Sequence, residues 1–161
     1  MTVKGITLDF FRNYVHLDAR FHPGVNVIYG DNAQGKTNLL EAIAYLSTAS
    51  SHRARYDREL IQFGVDHAFL KGEVAGRDRD FTLEISLHRG ARRQILSNGV
   101  RLKTAGELSG ILNTVLFCPE DLYLIRAGSG ERRQFLDDCI CQLRPRYAAA
   151  LAEYKKLKEH K

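Results

Sequence analysis

Residues Gly30-Asp31-Asn32-Ala33-Gln34-Gly35-Lys36-Thr37 follow the pattern G-x-x-x-x-G-K-[ST], and they restrict the fold of this chain more tightly than any other stretch. Glycines at both ends let such a loop curl, so that successive main-chain N–H groups point inward at an anion. Lys36 adds a positive charge for the β- and γ-phosphates of a nucleotide, and the Thr37 hydroxyl is placed to hold Mg²⁺. The pattern needs a strand before it and a helix after it. Val25-Asn26-Val27-Ile28-Tyr29 reads as a buried strand, and Leu39, Leu40, Ile43 and Leu46 recur at helical spacing over residues 38–47. The start of that helix would supply further N–H donors and a favourable dipole.

At 161 residues, with 44% hydrophobic and 27% charged content, the chain suits one soluble globular core. It has no apolar run long enough to span a bilayer, and Met1-Thr2-Val3-Lys4-Gly5 lacks the features of a secretory signal. A cytoplasmic protein with no membrane partner is the expectation. Cys118, Cys139 and Cys141 do not form a closed disulfide set or a chelating pattern, and read as reduced, small apolar residues. The net charge of +5 favours a polyanionic partner.

Alternation places Ile6, Leu8 and Phe10 on one face of a first strand, and Val15, Leu17, Ala19 and Phe21 on one face of a second. Arg12-Asn13 falls at the bend of the resulting antiparallel hairpin. The polar stretch from Ser50 to Arg58 reads as a loop. Ala68, Leu70 and Val74, then Phe81, Leu83, Ile85 and Leu87, predict two more strands, and Asn98-Gly99 marks a tight turn between another pair. This middle region is an antiparallel meander. Residues 105–112 form a short helix capped by Thr104, and residues 114–117 a buried strand ended by Pro119-Glu120-Asp121-Leu122. Ser129 caps a helix with Leu136, Cys139, Ile140 and Leu143 on its core face, and Pro145 divides it from a last helix with Tyr147, Leu151, Tyr154 and Leu157 on one stripe. That helix meets no stop signal before Lys161, so the chain reads as truncated.

A P-loop hydrolase also needs an acidic residue at the end of a second buried strand. Phe135-Leu136-Asp137-Asp138 comes nearest, but it lies in a predicted helix and reads as a solvated turn. Gly128-Ser129-Gly130-Glu131 similarly reads as a helix cap and not as a nucleotide-closing Ser-Gly-Gly loop. Arg89, Arg92, Arg93, Arg101 and Lys103 surround the Asn98-Gly99 hairpin; on one face they would track DNA phosphates, and otherwise they are a plain basic surface.

Several separate stretches together carry a narrower resemblance. They are Phe10-Phe11-Arg12-Asn13-Tyr14, Pro23-Gly24-Val25-Asn26-Val27, the loop continued through Asn38-Leu39-Leu40-Glu41-Ala42, Ser51-His52-Arg53, Phe117-Cys118-Pro119-Glu120-Asp121-Leu122, and Glu131-Arg132-Arg133-Gln134-Phe135-Leu136-Asp137. In this order the chain resembles the RecF family of bacterial recombination-mediator ATPases, related to SMC-type and ABC-type heads. The resemblance covers the whole chain and less than half of such a protein.

It implies an α/β P-loop NTPase fold: the N-terminal lobe of an ABC/SMC-type ATPase head with mixed and antiparallel sheet, ending in helices. An ATP-binding lobe would span residues 1–128, and a truncated helical lobe would begin at 129–161. Binding of ATP and Mg²⁺, an ATP-dependent homodimer of the intact protein, DNA binding, recombinase loading with partner mediator proteins, and support of the SOS response also follow from the resemblance. By the same resemblance Gly30, Asp31, Asn32, Ala33, Gln34, Gly35, Lys36 and Thr37 hold the triphosphate, Arg12 and Asn13 stand near the nucleotide, and Ser51, His52 and Arg53 lie near base or ribose. Arg12-Asn13 as turn chemistry and Arg53 in a solvated loop are the plainer alternatives. Glu120 and Asp121 fall where related ATPases carry a Gln-bearing loop. No Gln stands there, and their role stays open. An ABC transporter ATPase, a small-molecule P-loop kinase and a non-hydrolysing nucleotide-binding module are the competing functions; little ATPase activity is expected of this chain alone.

Overall fold

The computed structural model describes residues 1–76, 78–119 and 128–159. Six strands form one sheet: β1 (Thr2–Phe11), β2 (Tyr14–Arg20), β3 (His67–Ala75), β4 (Asp80–His88), β5 (Gln94–Ser97) and β6 (Val100–Arg101). Their order is β2-β1-β3-β4-β5-β6, and every pairing is antiparallel. Period-two burial follows the sequence pattern: Ala68, Leu70 and Val74 on β3 and Leu83, Ile85 and Leu87 on β4 all enter the core. The β5–β6 turn is Asn98-Gly99, with φ of 50° and 77°, as the dipeptide predicted.

In β1 the expected face holds for Ile6 and Leu8 but not for Phe10. Phe10 adopts φ 53°, which shifts the alternation so that Phe11 continues the buried row. The cause is a crossing segment. Gln62 N–H donates to the Phe10 carbonyl at 2.8 Å, and Arg12 N–H donates to the Leu60 carbonyl at 2.7 Å. Phe10 turns outward instead, its ring edge-on to His67 at 5.1 Å. The β1–β2 hairpin bends at Arg12-Asn13, between the paired Phe11 and Tyr14.

One helix, α1 (Lys36–Thr48), covers the inner face of the sheet. Leu39, Ala42, Tyr45 and Leu46 are its buried apolar residues, followed by the buried C-cap residue Ala49, while Leu40 of the expected stripe is exposed. Close approach to β3 depends on Gly72, where an added Cβ would stand 2.6 Å from Leu46 Cδ1. Gly72→Val should therefore destabilise the fold by about 1–3 kcal/mol through overpacking. Chemical denaturation would measure this as a lower midpoint with an unchanged slope.

Two expected buried strands are not found. Residues 25–29 and 114–117 are irregular, with Val25 88% and Val115 100% exposed. Apolar, β-branched composition makes a segment able to pair, but burial as a strand needs a neighbour. Among the described residues the sheet ends at β2 and β6 and places no strand beside either segment. Of the Pro119-Glu120-Asp121-Leu122 stretch, Glu120, Asp121 and Leu122 lie outside the described residues.

After a 3₁₀ turn (Ala105–Leu108), closed by the capping box of Thr104 and Glu107, two helices follow: α2 (Ser129–Leu143) and α3 (Pro145–Glu159). Gly128, not Ser129, is the N-cap residue of α2. The expected core face of α2 is only half covered: Cys139 and Ile140 are partly buried, whereas Leu136 is exposed and Leu143 is 70% exposed. Polar bonds also attach the helix. The Tyr147 hydroxyl donates to buried Asp137 at 2.5 Å, and Thr114 N–H donates to Gln142 Oε1 at 2.8 Å. Pro145 separates the two helices as predicted and is itself the first residue of α3, with Tyr154 and Leu157 of the expected stripe exposed.

Candidate nucleotide-binding site

The loop of residues 30–37 is curled. Gly30, Ala33 and Gly35 have φ of 144°, 65° and 101°, and the chain turns back on itself before α1 begins. Lys36, the first residue of α1, reaches across this curl: its Nζ donates to the carbonyls of Gly30 at 2.7 Å and Asp31 at 2.5 Å. Gly35 is the N-cap residue; no side chain caps the helix, and no acidic residue stands in its first turn. The amide donors and the positive dipole end thus face the loop without an internal carboxylate to compete for them. Asp31, Asn32, Ala33, Gln34 and Thr37 are exposed along the same curl.

The β1–β2 hairpin fixes the loop from behind. Tyr14 donates its hydroxyl to the Gly35 carbonyl at 3.1 Å, and burial pushes its phenol pKa up, which keeps it a neutral donor. Asn13 packs beside Gly35 and accepts from Asn38 Nδ2 at 2.8 Å.

Glu41, on the second turn of α1, gathers the remaining groups. Its side chain is fully buried, and Arg12 embraces it with Nη2–Oε1 at 2.7 Å and Nε–Oε2 at 3.0 Å. Ser51 donates to Oε1 at 2.5 Å, and Arg53 Nη1 stands 3.4 Å from Oε2. Burial by itself would raise the Glu41 pKa. The hydrogen bonds from Arg12 and Ser51 and the charges of Arg12 and Arg53 outweigh it and hold the carboxyl below its ordinary value. Arg53 also donates to Asn38 Oδ1 at 2.9 Å, and the Ser51 hydroxyl accepts from the N–H groups of Arg53 and Ala54.

Arg12, Asn13, Ser51 and Arg53 are therefore joined to the loop through Glu41 and Asn38. His52 is not part of that network; its Nε2 lies 3.5 Å from Cys118 Sγ. Sequence reasoning had Glu41 only as a letter in a matched stretch. The available signal was a carboxylate one turn before core-facing Tyr45, on an otherwise apolar helix side. An open hollow of about 640 Å³ extends outward from Asn13 and Asn38, ringed by Arg12, Arg53, Arg58 and Arg89.

The basic hairpin residues do not share one face. Arg89 turns to this hollow and donates to the Val65 carbonyl at 2.8 Å, whereas Arg92, Arg93 and Lys103 line a second hollow, in which Arg93 pairs with Asp57 at 3.0 Å beside the buried Tyr45 hydroxyl. Among the described residues no group of three His, Cys, Asp or Glu side chains is placed to hold a metal. Asp137 and Asp138 lie on α2, which excludes a strand-end position for them.

Residues 6–160 match the AAA domain. The chain belongs to that family. This AAA domain is 46% identical to a DNA replication and repair protein RecF of Agathobacter rectalis over 157 residues, covering 97% of the chain and 43% of the relative. A RecF of Clostridium acetobutylicum is 42% identical, with 98% of the chain and 43% of the relative covered. The domain thus spans less than half the length of these curated relatives, and it corresponds to the N-terminal portion of RecF. Among solved structures, the recombination mediator protein RecF with ATP, of the RecFOR pathway, superposes with a TM-score of 0.91 at 39% identity, covering 96% of the chain and 43% of that structure. An SMC ATPase structure shares the fold at 22% identity, with a TM-score of 0.70 over 86% of the chain and 99% of its own. The fold is a P-loop ATPase head with antiparallel sheet and helices. No described helix is long and apolar enough to cross a membrane.

Proposed function

We propose that this domain is the ATP-binding lobe of a RecF-type DNA replication and repair protein. The observation that carries the reading is the curled loop with Lys36 folded over it, at the uncapped start of α1. Amides of the loop and of the first helical turn would take the phosphates, and Lys36 would exchange its two carbonyl partners for phosphate oxygens. Thr37, exposed on the first turn, would hold Mg²⁺ together with those oxygens. The similarity to a RecF structure with ATP supports the choice of nucleotide.

In the intact protein, ATP-dependent dimerisation, DNA binding, recombinase loading with mediator partners and SOS support extend the same reading. A first lobe over residues 1–128 and the start of a helical lobe over 129–161 fit it as well. The chain by itself binds nucleotide with little turnover, because its nearest acidic pair is held on a helix, with Asp137 engaged by Tyr147.

Isothermal titration with ATP and Mg²⁺ tests the proposal. Wild type should bind, and Lys36→Ala should bind about 30-fold more weakly, the loss expected for one charge-assisted contact. Equal affinities of the two proteins would overturn it.

A further inference from the structure

Phe63 is 99% exposed, yet it lines the same hollow as Arg12, Arg53, Arg58 and Arg89. Its display is built by the backbone. Gly64 takes φ 86°, and Val65 N–H closes the turn on the Gln62 carbonyl at 3.4 Å, so Phe63 stands at the tip. The turn is held at both ends, by the Gln62–Phe10 main-chain bond and by Arg89, which donates to the Val65 carbonyl at 2.8 Å. Arg58 is held in turn against the Tyr56 ring at 4.7 Å. A bare aromatic face on an anchored turn, surrounded by guanidinium groups, matches a planar π-system that carries negative charge.

We propose that Phe63 is the stacking surface for the base of the nucleotide bound at the loop, and so an affinity-determining residue. The inference rests on the nucleotide reading above. Asn13 and Asn38 border both the loop and the hollow: Asn13 touches Gly35, and Asn38 follows Thr37 on α1. A nucleotide whose phosphates sit on the amides at the start of α1 extends its sugar and base past these two asparagines toward Phe63. Stacking is tolerant of base identity, so the contact adds affinity with weak discrimination between purines.

The test is titration of the whole chain with ATP, with inorganic tripolyphosphate and with oligo-dT, for wild type, Phe63→Ala and Phe63→Trp. Phe63→Ala should bind ATP about tenfold more weakly and tripolyphosphate with unchanged affinity, and Phe63→Trp should restore ATP binding. The side chain is solvent-exposed, so circular dichroism and melting should not change between variants. Unchanged ATP affinity in Phe63→Ala overturns the proposal, as does an equal loss for ATP and tripolyphosphate. Loss confined to oligo-dT overturns it in favour of a nucleic-acid strand at this turn. Wild type that binds neither ATP nor tripolyphosphate overturns the nucleotide reading itself, and this inference with it.

Discussion

Glu41→Ala is expected to destabilise the fold by about 3 kcal/mol, the low end for breaking a buried ion pair, because the Arg12 side chain keeps one-fifth of its surface in water. Three groups meet at this carboxylate: Arg12 from the hairpin bend, and Ser51 and Arg53 from the loop after α1. Without it, two guanidinium groups face each other across a buried space with no counter-charge. For a domain of this size the melting temperature should drop by roughly 10 °C. Glu41→Gln keeps the volume but presents an NH₂ to one of the arginines, so its loss should be intermediate. A melting point within about 1 °C of wild type for Glu41→Ala would contradict the argument.

The same carboxylate sets an acid limit. Its pKa is lower in the folded state than in the unfolded chain, so its contribution is complete above the unfolded value, near pH 4.5. It is lost as pH falls through the lower folded value. Stability of wild type should therefore decline below about pH 4.5, and this part of the decline should be missing in Glu41→Gln. Denaturant midpoints measured across that range compare the two directly.

Gly35→Val should lower ATP affinity on the order of 100-fold or more while leaving the sheet intact. Gly35 has φ 101°, a conformation that costs a β-branched residue roughly 1–3 kcal/mol. Space is lacking too: a Cβ there would stand 2.7 Å from both Asn13 Oδ1 and Nδ2 and 2.9 Å from the Tyr14 hydroxyl. The free loop escapes both costs by uncurling, since most of it is exposed, and must meet them again when phosphates bind. Affinity falls for that reason, and stability barely changes. Calorimetric titration alongside a melting curve separates the two effects; tight binding by Gly35→Val would show that the curl is not what holds the anion.

The local consequences of this chain were open to reading from its residues. Gly-x-x-x-x-Gly-Lys-Thr dictated a curl before a helix, Asn98-Gly99 a tight hairpin, and alternation at Ala68, Leu70, Leu83 and Ile85 the inward faces of β3 and β4. Each is set by neighbours within a few residues, through φ preference or side-chain period. The matched stretches around the loop likewise pointed to the RecF resemblance that the comparisons support.

Only the folded chain decided the rest. Residues 25–29 have strand composition, but a strand is a relation between two segments, and none of the described segments lies alongside. Phe11 displaced Phe10 from the core because residues 60–62 cross that strand. Glu41 became the centre of the site because Arg12, 29 residues earlier, and Ser51, ten residues later, converge on it. Spacing along a sequence encodes faces and turns; which charges share one buried point depends on how distant elements pack.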